Sequence, residues 1–453
     1  NLHPKKHLSS SSLLQFLNVY PNEPLIIQIV CQLLPETRDY HDNDDLLFAL
    51  LEALRSNRND QDVVFTIIPL IPKFTKQKNT LNAPATVDLM LKLVELYKSN
   101  GLVAQCAFEL LKDHPESFPA AISSLNLIKD KEAVLVISQC IVSYCNVIDP
   151  SESLGQVLRS LKNHSDHREI CSYLTQVVFF CSTNEQTDEA LIKYINVLIS
   201  ICMKFVDNIN ICRAVIGVVC NLANTPHYFS QLYLAPACII MALKSHPKDE
   251  QLITASCSVI SSFALSDKGR LFIDVIPVLI LSLKNRIKLE LICQTLADMG
   301  ELAADYASSI AEELMKLIGK EQNTFVPANS LFTLSLNEKS HDAIFAKLSV
   351  ILDLISSKED EELGAILLGI CTNLKDRQKL KQFDPFVPQL ITIIRGSKGK
   401  LQIPAANCCF NLARYRSELL LQYIDTFALI RDSSKNELGR ICGLIKEELQ
   451  APR

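Results

Sequence analysis

The chain has 453 residues, of which 48% are hydrophobic and 21% charged, with a formal net charge of -5 and a pI near 6.0. This balance excludes the overall positive potential on which nucleic-acid binding depends, so no nucleic acid is predicted as a partner. A single core rarely exceeds about 250–300 residues, and a chain with only 12 Gly and no Trp favours long helices, so we expect an all-α chain of several domains or many repeats.

The N-terminal segment, residues 1–11, is polar and lacks the apolar core of a signal peptide, so we expect it to be disordered. The chain opens on Asn1 rather than Met, and we expect it to be a fragment or to have lost a few residues. The best candidate for a membrane span, residues 133–148, is shorter than the about 18 residues required and contains several polar side chains. No membrane span is predicted.

From residue 12 to residue 170, helical patterns alternate with short polar loops. The strings DLLFALLEALRSNRNDQDVVFTIIPLI and DLMLKLVELYKSNGLVAQCAFELL are the clearest examples. Their apolar spacing is typical of amphipathic helices joined in pairs. We interpret residues 12–170 as degenerate HEAT-like or armadillo-like repeats.

From residue 171 to residue 453 the pattern repeats more clearly, and three strings share an Asn: GVVCNLANTP, GICTNLKDRQ and NCCFNLARYR. Alignment by apolar pattern puts seven residues in one place: Phe180, Asn221, Ser262, Glu301, Thr333, Asn373 and Asn411. The steps between them are 41, 41, 39, 32, 40 and 38 residues, close to the roughly 40–47-residue period of armadillo and HEAT units. Pro236, Pro277 and Pro388 begin the preceding helices, where a missing N–H is harmless. We expect residues 171–453 to form armadillo-like repeats that continue the earlier ones in one α-solenoid.

The period, the apolar pattern and the NLA string resemble armadillo repeats, most strongly after about residue 170. This resemblance implies three helices per repeat, a right-handed α-solenoid, and a concave groove lined by the third helices that holds a partner. The earlier units lack a clear first helix and are more similar to HEAT repeats.

The repeated Asn has two interpretations. On a helix, Asn221 shares a face with Gly217 and Ala214, so Asn221, Asn373 and Asn411 could line the groove and bond an extended peptide, as asparagines do in the importin-like members of the family. Alternatively, each Asn ends its helix and caps the following turn. Importin-like proteins pair each Asn with a Trp four residues earlier, where this chain has Gly217, Gly369 and Asn407. Asn407 is included in the predicted groove, but binding of a nuclear-localisation signal is not expected.

The sequence contains sixteen Cys and no Cys-x-x-Cys pair, and most lie in apolar runs: Cys140, Cys220, Cys257, Cys293, Cys408 and Cys409. We expect reduced core cysteines, with a regulatory thiol, a disulfide or a metal site as alternatives. A reducing compartment follows, and we predict the cytoplasm with the nucleus as a second location.

Residues that could carry chemistry are few. His164 and His167 lie three apart, but in a predicted loop and without the spacing of a metal-binding helix. The segment RGSKGKL lacks the first Gly and the final Ser or Thr of a phosphate-binding loop. No nucleophile with a matching base is recognisable. We therefore predict a protein that is not an enzyme and needs no cofactor.

The segment from residue 374 to residue 416 has nine basic and two acidic residues, a local charge of +7. The candidate basic patch consists of Lys375, Lys398, Lys400, Arg414 and Arg416. Such residues either decorate solvated loops or form a basic groove that steers an acidic partner.

The leading prediction is a scaffold that binds a partner protein or an extended peptide in the groove. The alternative is a regulator of small GTPases, acting as an exchange factor or chaperone. It depends on IAEELMKLIGKEQ, residues 310–322, which resembles a segment of the small-GTPase GDP-dissociation stimulators, armadillo solenoids that bind prenylated, polybasic GTPases.

Overall fold

The computed structural model describes residues 9–37, 40–318, 324–357, 360–396 and 399–451, and every regular element within these ranges is a helix. The all-α, solenoid-type fold class predicted from the sequence is confirmed. The chain divides into two compact units, Asn1–Leu222 and Ala223–Arg453. This division differs from the change in sequence pattern near residue 170, and the division by sequence stays a prediction.

The first unit consists of helix pairs. They are α1 (Ser10–Val19) with α2 (Pro24–Leu33), α3 (Asp44–Ser56) with α4 (Gln61–Ile67), the short α5 (Lys78–Leu81), α6 (Pro84–Leu96) with α7 (Gly101–Leu111), α8 (Phe118–Leu125) with α9 (Lys131–Tyr144), α10 (Leu154–Asn163) with α11 (Arg168–Cys181), and α12 (Asp188–Lys204) with α13 (Ile209–Leu222). The second helix of each pair packs on the second helix of the next pair, and the 3₁₀ segment Ile68–Lys73 extends α4 to contact α7. The unit is therefore a two-layer stack.

The second unit repeats this design. Its pairs are α14 (Ala235–Ser245) with α15 (Glu250–Ala264), α16 (Ile276–Lys284) with α17 (Leu289–Met299), α18 (Ala307–Leu317) with α19 (Phe325–Ser335), α20 (His341–Phe345) and α21 (Leu348–Ser357) with α22 (Glu361–Asn373), α23 (Val387–Arg395) with α24 (Gln402–Tyr415), and α25 (Ile424–Ser433) with α26 (Glu437–Gln450). The second helices again stack on one another. We call their outer surface the second-helix face.

A third helical segment precedes several first helices of the second unit. These 3₁₀ segments are Gly269–Val275, Gly300–Tyr306 and Lys379–Phe386. The corresponding segments of the first unit have only three residues: Pro115–Ser117, Ser151–Ser153 and Glu185–Thr187. The second unit is thus closer to the three-helix repeat of the armadillo type.

Local signals account for where the helices begin. The carboxylates of Asp130 and Asp249 accept hydrogen bonds from backbone N–H groups in the first turns of α9 and α15, at 2.9 and 2.8 Å. Pro236, Pro277 and Pro388 occupy the second positions of α14, α16 and α23. The carboxylates accept hydrogen bonds from N–H groups that have no partner inside the helix, and the prolines have no such N–H group.

The repeat alignment agrees with the structure at six of its seven positions, which lie near the C-terminal ends of second helices. Glu301 is the exception, because α17 ends at Met299 and Gly300 adopts a positive φ of 43°, which a glycine tolerates. Glu301 therefore lies in the following 3₁₀ segment. The irregular end of this repeat precedes the short step of 32 residues to Thr333.

The predicted disordered segment 1–11 needs a correction at its end. Residues 1–8 lie outside the described ranges, but Ser10 and Ser11 belong to α1, because the Ser9 hydroxyl accepts the backbone N–H of Ser12 and caps the helix. Among the described helices, none combines the length and the apolar character that crossing a bilayer demands.

Candidate functional site

Three successive second helices of the second unit, α19, α22 and α24, form an open groove of about 430 Å³. Its wall consists of Asn329, Phe332, Ala365, Ile366, Gly369, Thr372, Asn373, Pro404 and Asn407. Every one of these residues belongs to a second helix, so the groove runs across the second-helix face.

An aromatic ring from one repeat lies over a glycine of the next. The ring of Phe332 on α19 covers Gly369 on α22, and a Cβ atom at position 369 would lie only 2.7 Å from Cε2 of this ring. The Phe332 side chain remains 36% exposed. Glycine is therefore required for close approach here, and the ring stays available on the groove wall.

Asn373 is tied to the same neighbouring repeat. Its Nδ2 donates a hydrogen bond to Oγ of Ser335 at 2.8 Å, and this hydroxyl donates in turn to the backbone carbonyl of Phe332 at 2.6 Å. Ser335 is buried. The hydrogen bond to Ser335 holds the amide of Asn373 in one orientation at the groove wall. It involves only Nδ2 of this amide and not Oδ1.

The first unit contains the same arrangement on α11 and α13. Nδ2 of Asn221 donates to Oγ of Ser182 at 2.8 Å, and Ser182 donates to the carbonyl of Phe179 at 2.7 Å. The Phe179 ring covers Gly217, where an added Cβ would lie 2.5 Å from the ring, and it is 37% exposed. We call this four-residue unit, F-x-x-S in one repeat and G-x-x-x-N in the next, the repeat clamp.

Asn411 differs from the other two. Its side chain is only 9% exposed, and Nδ2 donates to the backbone carbonyl of Leu374 in the preceding repeat at 2.7 Å. The prediction that Asn411 lines the groove is therefore corrected, because its amide is buried between two repeats. The capping alternative does not describe the three asparagines either, since each amide bonds the previous repeat rather than its own helix end.

Asn407 lies on the wall of this groove, together with Asn329 and Phe332, which the sequence analysis did not single out. Asn329 stands four residues before Thr333, the same place that Asn407 holds relative to Asn411. The repeat register therefore carried a signal for Asn329. The sequence signal for Phe332 is the F-x-x-S part of the repeat clamp. It becomes visible only when FTLS, residues 332–335, is compared with FFCS, residues 179–182.

The candidate basic patch is divided between two edges of the second-helix layer. Lys375 and Arg416 follow the C-terminal ends of α22 and α24, and Arg416 donates to the carbonyl of Arg377 at 3.2 Å. Lys400 precedes α24 at the opposite end and lies beside the start of α22. Lys398 is outside the described residues.

Acidic residues of neighbouring segments pair with these cations. Lys375 lies 3.3 Å from Glu338, Lys400 lies 2.8 Å from Glu362, and Arg416 lies 2.6 Å from Glu418. The Glu362 carboxylate raises the pKa of Lys400. The guanidinium of Arg414 lies 5.9 Å from the centre of the Phe410 ring. Much of the local positive charge is thus balanced within the chain.

The cysteines behave as core residues. None of the sixteen forms a disulfide bond, and only Cys145 and Cys220 are half-buried rather than buried. Burial raises the pKa of Cys171 and Cys408 to about 12, so these thiols stay protonated and unreactive near neutral pH.

The two candidate histidines have structural surroundings. Nδ1 of His167 accepts the backbone N–H of Ile170 at 3.4 Å and caps α11. Burial lowers the pKa of His164. Within the described ranges, no group of three His, Cys, Asp or Glu side chains is placed to hold a metal ion.

No protein-family model and no curated protein matches the sequence. The solved structures that are similar over most of the chain include the following two. An engineered protein of the Northeast Structural Genomics Consortium has a TM-score of 0.54 and 13% identity, covering 83% of this chain and 98% of that chain. A chain from a structure on the interaction between cadherin and beta-catenin has a TM-score of 0.50 and 13% identity, covering 90% of this chain and 100% of that chain. At this identity the similarity concerns the fold alone, and the fold is an armadillo/HEAT-type helical solenoid, as the sequence resemblance predicted.

Proposed function

We propose that this chain is a non-enzymatic scaffold that binds an extended segment of a partner protein along the groove of α19, α22 and α24. The groove carries the proposal, because its wall offers the amides of Asn329, Asn373 and Asn407 on three neighbouring helices. Stacked repeats present extended binding surfaces of this kind, and a side-chain amide can both donate to and accept from a peptide backbone.

One of the two similar structures comes from work on the interaction between cadherin and beta-catenin. Partner binding by a protein of this fold supports the same class of function here. In the proposal, Arg414 and the C-terminal edge residues Lys375 and Arg416 contribute to the rim of the site, where charge affects the rate of association more than the affinity.

A photoreactive residue in the groove tests the proposal. Benzoylphenylalanine at position 365 on the groove wall should cross-link to one contiguous segment of a partner after irradiation in cells. The same residue at Ser309, which is exposed on α18, is the matched control. The proposal requires that substitution of Asn373 or Asn407 reduce the cross-link formed at position 365. Equal cross-linking at positions 365 and 309 would contradict it.

A regulator of small GTPases is a separate proposal that depends on residues 310–322. In the described part of this stretch, Ile310, Leu314 and Leu317 are buried in α18, so the apolar residues of the string serve packing. A nucleotide-release assay with prenylated and unprenylated small GTPases tests the proposal: faster release supports it, and the absence of both binding and acceleration removes it.

We also propose a cytoplasmic location, with the nucleus as a second one. Sixteen cysteines without a disulfide bond persist most readily in a reducing compartment. Microscopy of the tagged chain tests this proposal, and accumulation in an oxidising compartment would contradict it.

A further inference from the structure

We propose that the bound segment is uncharged and that it places an aliphatic or proline side chain against the ring of Phe332. This inference rests on the proposed function, because it names the chemistry of the segment that the scaffold holds. It follows from the charge, the shape and the hydrogen-bonding capacity of the groove wall.

The groove wall has no ionisable side chain. The uncharged surface continues along the row eight residues before the repeated position, where α19, α22 and α24 carry Phe325, Ala365 and Ile403. The same row has Arg213 on α13 and Thr254 on α15. A second helix can therefore carry a charged residue in this row, as α13 does, whereas α19, α22 and α24 carry none.

An uncharged wall selects an uncharged ligand. A charged group that entered the groove would lose hydration without gaining an opposite charge, which is unfavourable. An aliphatic or proline side chain would instead cover apolar surface that is now exposed on Phe332, Ile366 and Pro404. The ring of Phe332 already lies close against Gly369 and cannot move nearer to α22, so it offers a fixed flat surface.

The amides of the groove wall can form hydrogen bonds with the backbone of the segment. Nδ2 of Asn373 is engaged by Ser335, which leaves Oδ1 to accept a backbone N–H of the ligand. The side chains of Asn329 and Asn407 form no hydrogen bond with other described residues, so they can bond the ligand on either side. Packed helices lie about 8–10 Å apart and an extended chain rises about 3.3 Å per residue, so each helix-to-helix step spans about three residues. A segment of about six residues therefore crosses from α19 to α24.

Charge insertion in the groove gives a sharp test. A phage library of random dodecapeptides is selected on the full chain, and the enriched peptides are titrated against the wild type, Ala365→Asp and Ala365→Arg at low and high salt. Ala365 is half-buried on the groove wall, and Thr254→Asp and Thr254→Arg place the same charges at the equivalent, exposed position of α15. Thermal unfolding of all four variants shows whether they fold.

We expect enriched peptides that share an uncharged segment with an aliphatic or proline residue. Ala365→Asp and Ala365→Arg should both weaken their binding by about tenfold or more, with little dependence on salt, and the Thr254 variants should bind like the wild type. Phe332→Ala should weaken binding with no new charge present.

Two different results overturn the inference. If the peptides are acidic and bind Ala365→Arg more tightly, or are basic and prefer Ala365→Asp, the scaffold proposal stands but the chemistry assigned to its ligand is wrong. If no enriched peptide loses affinity in any Ala365 or Phe332 variant, the groove does not bind peptides, and the proposed function fails together with the inference.

Discussion

The amide nitrogen of Asn373 lies 2.8 Å from the hydroxyl of Ser335, and the amide nitrogen of Asn221 lies 2.8 Å from the hydroxyl of Ser182. The two bonds join residues 38 and 39 positions apart, one repeat in each case. In both places a phenylalanine three residues before the serine covers a glycine four residues before the asparagine. The same four-residue clamp thus fastens two neighbouring repeats in each compact unit.

The clamp predicts a measurable coupling. Asn373→Ala should lower the free energy of unfolding by about 1 kcal/mol, because it removes a part-buried hydrogen bond and leaves the buried Ser335 hydroxyl with one hydrogen-bond partner fewer. Asn407→Ala, whose side chain bonds no described residue, should change stability much less. Urea unfolding of Asn373→Ala, Ser335→Ala and the double variant gives the coupling energy. Strictly additive effects would show that the bond does not join the repeats.

Gly439 on α26 predicts a strong steric effect. A Cβ atom at this position would lie 1.8 Å from the backbone carbonyl oxygen of Ser434, and backbone cannot move aside as a flexible side chain can. We expect Gly439→Ala to destabilise the chain by about 1–3 kcal/mol despite the better helix propensity of alanine. Gly155→Ala is the control, because a Cβ there meets nothing within 4 Å. Equal melting temperatures for the two variants would contradict the packing of α26.

The buried thiols predict a loss of stability at alkaline pH. Burial raises the pKa of Cys408 from 9.0 to about 12, so the folded state holds its proton where the unfolded state has lost it. The contribution of Cys408 to the free energy of unfolding is complete below about pH 9. It falls between about pH 9 and 12, by at most about 1.4 kcal/mol per pH unit. Cys408→Ala should therefore show a shallower decline of stability above about pH 9 and the same slope as the wild type near neutrality. Parallel curves over the whole range would contradict this assignment.

The thiols also predict a labelling pattern. Near neutral pH, a thiol reagent should modify the native chain slowly and reach the half-buried Cys145 and Cys220 first. All sixteen cysteines should react after denaturation in urea, since none forms a disulfide bond. Mass spectrometry of the labelled peptides measures both states. Rapid native labelling of Cys408 or Cys409 would show that α24 is not packed as described.

The ion pair between Lys400 and Glu362 predicts a salt-dependent effect. Lys400→Glu should lower the melting temperature at low salt, because it opposes two carboxylates in neighbouring repeats. Adding Glu362→Lys should restore the wild-type value by exchanging the partners. High salt should remove the difference between all three proteins, and a difference that persists in high salt would point to a change in packing instead.

Much of the fold could be predicted from the sequence because the relevant signals are local. The prolines that begin α14, α16 and α23 and the apolar spacing of the helices act within one or two turns. Six of the seven aligned positions consequently lie near the ends of second helices. The failure at Glu301 also has a local cause, since Gly300 ends α17 earlier than the pattern indicated.

The candidate site was only partly predictable. The pattern singled out Asn373 and Asn407, which line the groove, but it could not separate them from Asn411, which is buried against Leu374. Sequence proximity also grouped Lys400 with Arg416, although they lie at opposite ends of α24. In both cases the surroundings of the side chain depend on which residue of the previous repeat lies next to it.

By itself, the sequence determined an all-α chain of stacked helical repeats, the register of most repeats and the absence of a large positive field, because composition, helix signals and period are properties of the chain in one dimension. Only the tertiary structure decided that Phe332 covers Gly369, that Ser335 holds Asn373, and that three helices share an uncharged groove. These relationships join residues about one repeat apart, and they exist only after neighbouring helices have packed.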